Sequence, residues 1–188
     1  MKNFKAVQLK IKILILFVFL SYVSISQEIT GVTHIKSDIN KTIKVSGNLS
    51  DGAIIGDLSW AWNSSVACFS EAQKHYFTGN HVLYSTNLPA FSEMEIKLIP
   101  TDADANFSLY AYTISPVNSY IVPNLPSCVT CKTVHKWDKT KANSTQDYTR
   151  IITGLVSSEN SFRVIIGVVG AENLTQGAFV LEIMIKKQ

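Results

Sequence analysis

The sequence predicts an all-β fold, a sandwich or barrel, and three features point to it. Short runs alternate apolar and polar residues with the period of half-buried strands. Turn signals such as Ser50-Asp51-Gly52 and Asn87-Leu88-Pro89 separate those runs. Helical periodicity is nearly absent, with Val66 to His75 suited to one short helix.

Taken in order, Thr42 to Leu49 alternates and stops at the Ser50-Asp51-Gly52 turn. Ala53 to Trp62 is apolar and aromatic and reads as a further extended segment. His81 to Thr86 is a short strand. In Met94 to Ile99, Met94, Ile96 and Leu98 face one way and Glu95 and Lys97 the other, and Pro100 closes the run. Asn106 to Ile114 sets Phe107, Leu109 and Ala111 on one face and Tyr110 and Tyr112 on the opposite one. Asp147 to Ile152 passes from polar to apolar. Ser161 to Val169 is almost continuously apolar, as a central strand covered on both sides would be. Gly177 to Lys186 turns Phe179, Leu181, Ile183 and Ile185 inward. Ser64 to Asn80 and Asn124 to Ser144 lack strand character, and each contains cysteine. They read as long loops stapled together at one end of the sandwich.

The first residues set the compartment. Lys2, Lys5, Lys10 and Lys12 precede the apolar run Ile13 to Leu20, and the small residues Ser24 and Ser26 follow. This is the pattern of a secretory signal peptide, residues 1–26, cleaved before Gln27. The apolar run is too short for a spanning helix, which needs about 20 residues, so no transmembrane anchor is expected after cleavage. Residues 27–188 then form a single domain in the periplasm or outside the cell. Four of the 17 basic residues fall in the leader and none of the 14 acidic ones does, which leaves 13 against 14. A chain so nearly neutral has no electrostatic case for nucleic acid.

An oxidising compartment favours a disulfide among Cys68, Cys128 and Cys131. The odd count leaves one thiol over. A bridge from Cys68 to either of the other two would tie down the strand-poor segments, while Cys128 and Cys131 are also close enough to pair with each other. The same residues raise a metal reading. Cys128-x-x-Cys131-x-x-x-His135 has zinc-ligand spacing, with Cys68, His75 or His81 to complete four ligands. Oxidised cysteines do not ligate as thiolates, so no metal is expected, and His135 becomes a loop residue facing solvent. Asp102-x-Asp104-x-Asn106 opens like a calcium loop but lacks the glycine and glutamate of an EF-hand, and reads as a polar turn.

The stretch Phe77 to Ile114 resembles the bacterial pre-peptidase C-terminal domain. Tyr84 to Ala90 matches its strand ending in an "lPa" turn, Met94 to Ile99 its alternating strand, Asp102 to Asn106 its acidic loop, and Phe107 to Tyr112 its "dlyly" strand. Phe162 to Gly170 and Gly177, Phe179, Leu181 and Ile183 match its last two strands. The resemblance implies a jelly-roll-like antiparallel β-sandwich, here with long disulfide-stapled loops. It also implies a non-catalytic secreted accessory module, sometimes one that binds polymeric substrates. The Trp60-Ala61-Trp62-Asn63 segment and the CVTC insertion depart from the family's pattern.

No nucleophile elbow, metalloprotease helix or phosphate-cradling loop is present. Glu93 and Glu95 share one strand's outer face, where charge is solvated. The chain is therefore expected not to be an enzyme and to need no cofactor. Trp60 and Trp62, Tyr110 and Tyr112, and Trp137 are the candidate ligand-binding residues, because flat aromatic pairs stack on sugar rings or protein surfaces. The expected partner is polysaccharide or another secreted protein. A metal-dependent secreted protein or hydrolase, with zinc or calcium, is the alternative, and a self-associating surface component is a third reading.

Overall fold

The computed structural model describes residues 31–137, 139 and 142–188. The expected leader and its cleavage point before Gln27 lie outside them. Ten strands run in chain order: β1 (Thr33–His34), β2 (Thr42–Asn48), β3 (Ala53–Ile54), β4 (Asn80–Leu88), β5 (Ser92–Pro100), β6 (Phe107–Ile114), β7 (Thr130–Val134), β8 (Arg150–Ser157), β9 (Phe162–Gly170) and β10 (Ala178–Lys187). They build two sheets. One has the order β1-β4-β9-β6-β7, with β3 also paired to β4; the other runs β2-β10-β5-β8. The pairing is antiparallel except between β1 and β4. The molecule is an antiparallel β-sandwich, as the sequence predicts.

The inner faces meet in an apolar core. Alternation on β10 sets Leu181 between Val45 and Leu98, and Ile183 between Ile43 and Ile96. All of these except Val45 and Ile43, on the edge strand β2, are fully buried. Opposite them stand Phe107, Leu109 and Ala111 of β6 and Val164, Ile166 and Val168 of β9. Each large aliphatic or aromatic side chain buried this way contributes roughly 1.5–3 kcal/mol. The outer face of the four-stranded sheet carries the charges: Lys44 pairs with Glu182 at 2.6 Å, and Glu93 and Glu95 lie on this face as expected.

Strand β8 begins and ends three and five residues later than the sequence suggests. Its register with β5 slips between Met94 and Ile96. The slip sets Thr153 and Gly154 against Glu95, and Gly154 has φ +72°, the left-handed conformation glycine adopts without penalty. At the head of β8 the buried Arg150 guanidinium donates from Nε to the Phe107 carbonyl at 2.8 Å and from Nη1 to the Asp147 carbonyl at 2.8 Å. It thereby ties one sheet to the start of β6 in the other.

Strands β6 and β9 are buried on both faces. Their second face is covered by residues 55–79 and 115–128, which lie over the six-stranded sheet rather than at one end of the sandwich. This corrects the expected position of the long loops. Two further corrections concern local structure. Only Ala53–Ile54 of the segment up to Trp62 is strand; Asp57 Oδ1 accepts the Ser59 N–H at 2.8 Å and starts a 3-10 turn over Ser59–Trp62. The short helix is also 3-10, over Glu71–Phe77, opened by a capping box between Ser70 and Gln73. Finally, β7 forms inside the segment read as loop. It is an edge strand that pairs Val134 with Leu109 and Cys131 with Tyr112. With no residue buried on either of its faces, it carries little of the alternation that reveals strands in sequence.

Candidate functional site

The loop layer is held down by rings. Phe69 stacks on Phe77 at 3.9 Å and meets Trp60 edge-on at 5.7 Å. Trp60 in turn lies 5.4 Å from Tyr110, which is stacked with Tyr112 at 6.4 Å. Tyr110 fits because its partner on β9 is Gly167; a Cβ there would fall inside the phenol ring. Trp60, Tyr110 and Tyr112 are therefore buried and form no solvent-facing platform. Trp60 and Trp62 share no strand face, because their segment turns as a 3-10 helix. Trp62 and Trp137 are half-buried.

Burial brings polar atoms with it. His81, on β4, is buried beside Tyr110. Its Nε2–H donates to the Phe77 carbonyl at 3.0 Å, so Nδ1 is left as acceptor for the Tyr110 hydroxyl at 3.2 Å. Burial pushes the His81 pKa down to about 4, although the bond to Phe77 works the other way. The Tyr112 hydroxyl donates to the Tyr120 carbonyl at 3.2 Å. Burial raises the pKa of both tyrosines, so their hydroxyls stay protonated.

Cys68 and Cys131 form the disulfide, with Cα atoms 5.0 Å apart. The bridge joins the loop layer to edge strand β7. Cys128 keeps its thiol, half-buried, with Sγ 3.8 Å from the Val66 carbonyl oxygen; burial raises its pKa. This pairing takes two of the three thiolates out of the zinc ligand set. His81 has both nitrogens engaged, and His135 is stacked on Tyr76 at 4.4 Å rather than lying free in solvent. Among the described residues no three His, Cys, Asp or Glu side chains are gathered as metal ligands. In the Asp102 turn, Asp102 Oδ1 accepts the Asp104 N–H at 3.0 Å, and Asn106 Oδ1 accepts from Arg150 at 3.4 Å.

The loop 115–128 separates two hollows. On one side Tyr120, Pro123, Asn124 and Leu125 face Trp60 and Asn63 across a groove of about 570 Å³. Asn63 Oδ1 accepts the Ser65 N–H at 2.9 Å, which fixes its amide. On the other side Ile121 and Val122 close a cavity of about 550 Å³ against β2, β3 and β4. Of the residues singled out in the sequence, only Trp60 lines the groove. Tyr120 and Asn124 were passed over; the proline-bracketed run Val122-Pro123-Asn124-Leu125-Pro126 was the signal that could have found them.

A sandwich with a ring-packed, disulfide-tied third layer and two loop-built hollows is the class of protein these observations define. No family model matches the chain, and no curated protein matches it. Among solved structures it is similar to Aeromonas hydrophila PliG, a periplasmic lysozyme inhibitor of g-type lysozyme, at 10% identity and TM-score 0.40, over 82% of this chain and 96% of that one. It is similar to CorA, a surface-associated copper-binding protein of Methylomicrobium album BG8, at 10% identity and TM-score 0.44, over 84% and 99%. It is also similar to the pre-peptidase C-terminal domain of a Bacillus anthracis collagenase, at 12% identity and TM-score 0.33, over 82% and 94%. These likenesses concern fold alone, and they include the domain type that the sequence resembles. No helix among the described residues is long and apolar enough to cross a membrane.

Proposed function

We propose that the protein is an exported, non-catalytic binding module, and that its groove takes a neutral, hydroxyl-rich ligand such as a ring of a polysaccharide. One observation carries this reading. The groove is lined by the Tyr120 ring, by prolines and by the largely buried Trp60, its polar groups include Ser59, Asn63 and Asn124, and among the described residues no charged side chain lines it. Apolar faces with a few neutral donors and acceptors suit a sugar, whose C–H faces pack on rings while its hydroxyls take amides. Tyr120 is 39% exposed and so is open to such a partner. Trp62 and Trp137, half-buried, are proposed as outlying contacts; Tyr110 and Tyr112 support the groove from beneath.

Retention on a panel of immobilised polysaccharides tests the reading. Tyr120→Ala and Asn124→Ala should each weaken retention about tenfold, the loss of roughly 1.4 kcal/mol, with the melting temperature unchanged. A wild-type chain retained by no polysaccharide, or variants retained equally well, would remove the sugar assignment. The leader belongs to the same proposal, supported by its four lysines and apolar run. N-terminal sequencing of the exported chain should begin at Gln27; a chain that keeps residues 1–26 overturns it.

A further inference from the structure

The second hollow has a different chemistry. It opens where the edge of the six-stranded sheet is interrupted. On that edge β3 pairs with β4 only as far as His81, and β1 resumes at Tyr84. Val82 and Leu83 face no strand there, and the window between the two short strands leads into the cavity. Its walls are apolar, from Val45, Ile55, Val82 and Ile121.

Two polar groups stand out against those walls. Tyr84 is 4% exposed, yet its hydroxyl makes no hydrogen bond among the described residues. That hydroxyl lines the cavity, where it is open to a ligand. The ring reaches this position because Gly47 lies beneath it; a Cβ there would overlap both the Tyr84 hydroxyl and the Phe179 ring. Among the described residues of the lining, Asp51 is the one acidic residue, and Lys and Arg are absent. The asparagine cap Asn48 holds it in place, its N–H donating to Asp51 Oδ2 at 3.3 Å. The second carboxylate oxygen remains for a ligand. His81, the other titratable group of the lining, is neutral, with both nitrogens engaged.

We propose that this cavity binds a primary ammonium group carried on an apolar stem, either a lysine side chain of a partner or a free alkylamine. The Asp51 carboxylate supplies the charge and one acceptor, and the Tyr84 hydroxyl oxygen supplies a second acceptor. The aliphatic walls take the methylene stem, as they do wherever a long cationic side chain lies along apolar surface. An anion is disfavoured, because it would meet a carboxylate with no compensating cation. The proposal is independent of the groove: Asp51 and Tyr84 do not line the groove, and Tyr120 and Asn124 do not line the cavity.

The test is a titration of the ¹⁵N-labelled protein, followed by amide shifts, with n-butylammonium chloride at constant ionic strength. Saturable shifts are expected at Gly47, Gly52 and Leu83, in the millimolar range. Isosteric n-butanol should bind about tenfold more weakly and butyrate not at all. Asp51→Asn, which keeps an oxygen for the Asn48 cap, should weaken butylammonium about tenfold. Tyr84→Phe, which keeps the ring against Phe179, should weaken it by about threefold. Nα-acetyl-lysine methylamide distinguishes the sources. If it binds as well as butylammonium, the ligand is a partner's lysine; if only the free amine binds, it is a small amine; either result upholds the ammonium assignment. Equal shifts from butanol and butylammonium, an undiminished response in folded Asp51→Asn, or no saturable shift at all would overturn it.

Discussion

The two buried clusters on either side of the six-stranded sheet differ in how many rings they hold and in what closes them. Between the sheets, the hydrophobic side chains are aliphatic, thioether or phenyl, with Tyr84 at the margin, and the buried Arg150 guanidinium is the charged group that joins them. Beneath the loops, tryptophan, tyrosine, phenylalanine and cysteine are mixed among aliphatic side chains, His81 is buried beside them, and the indole nitrogen of Trp60 has no hydrogen-bond partner among the described residues. The first cluster is closed by two sheets of paired strands. The second is closed by chain without continuous pairing, so it relies on ring contacts, one disulfide and a few directed hydrogen bonds. The inter-sheet core should therefore answer to volume changes, and the loop core to redox state and pH.

The largest effect is expected where volume is removed between the sheets. Phe107→Ala deletes a fully buried ring that packs edge-on against Phe179 at 5.8 Å. It should lower stability by about 4 kcal/mol in urea unfolding, with both clusters lost in one transition. A loss below about 1 kcal/mol would mean that the inter-sheet core does not dominate.

Removing the Cys68–Cys131 bridge by a paired Cys→Ala change should cost about 3 kcal/mol, since it frees a long loop in the unfolded chain. Hydrogen exchange sharpens the comparison. Amides of residues 58–77 should lose protection while those of β5 and β10 keep theirs in proportion to global stability. Equal loss throughout would make the two clusters one cooperative unit.

Acid should act through His81. Its folded pKa of about 4 lies below the ordinary 6.5, so the unfolded chain takes up the proton first. The contribution is complete above pH 6.5 and declines as the pH falls to about 4, by up to about 3 kcal/mol. Melting followed from pH 7.5 to 4 should show this slope, and His81→Gln should flatten it. An unchanged slope in the variant would assign the acid sensitivity elsewhere.

The two clusters were not equally legible. Alternation in Met94 to Ile99 and Gly177 to Lys186 marks their inward faces correctly, and the two faces of Asn106 to Ile114 separate as expected: Phe107, Leu109 and Ala111 between the sheets, Tyr110 and Tyr112 beneath the loops. The same alternation says nothing of what covers Tyr110 and Tyr112. Exposed platform and covered core were both open for them, because no periodic signal marks a loop that folds over a sheet. Strand β7 escaped notice for a related reason, being half-exposed on both sides. Of the groove, the sequence showed Trp60 but not Tyr120 or Asn124, and nothing in it brought Asp51 and Tyr84 into one lining.

By itself, the sequence determined most of the long strands, which of their faces turn inward, and that residues 27–188 are nearly neutral. Those properties are local, because strand geometry alternates side chains every residue and charge is a sum. Tertiary structure alone decided which two of three cysteines pair, which rings are buried, and how Asp51, Tyr84 and Ile121 come to share one cavity. These depend on contacts between segments tens of residues apart, where loop closure and packing, rather than any repeat in the chain, select the partners.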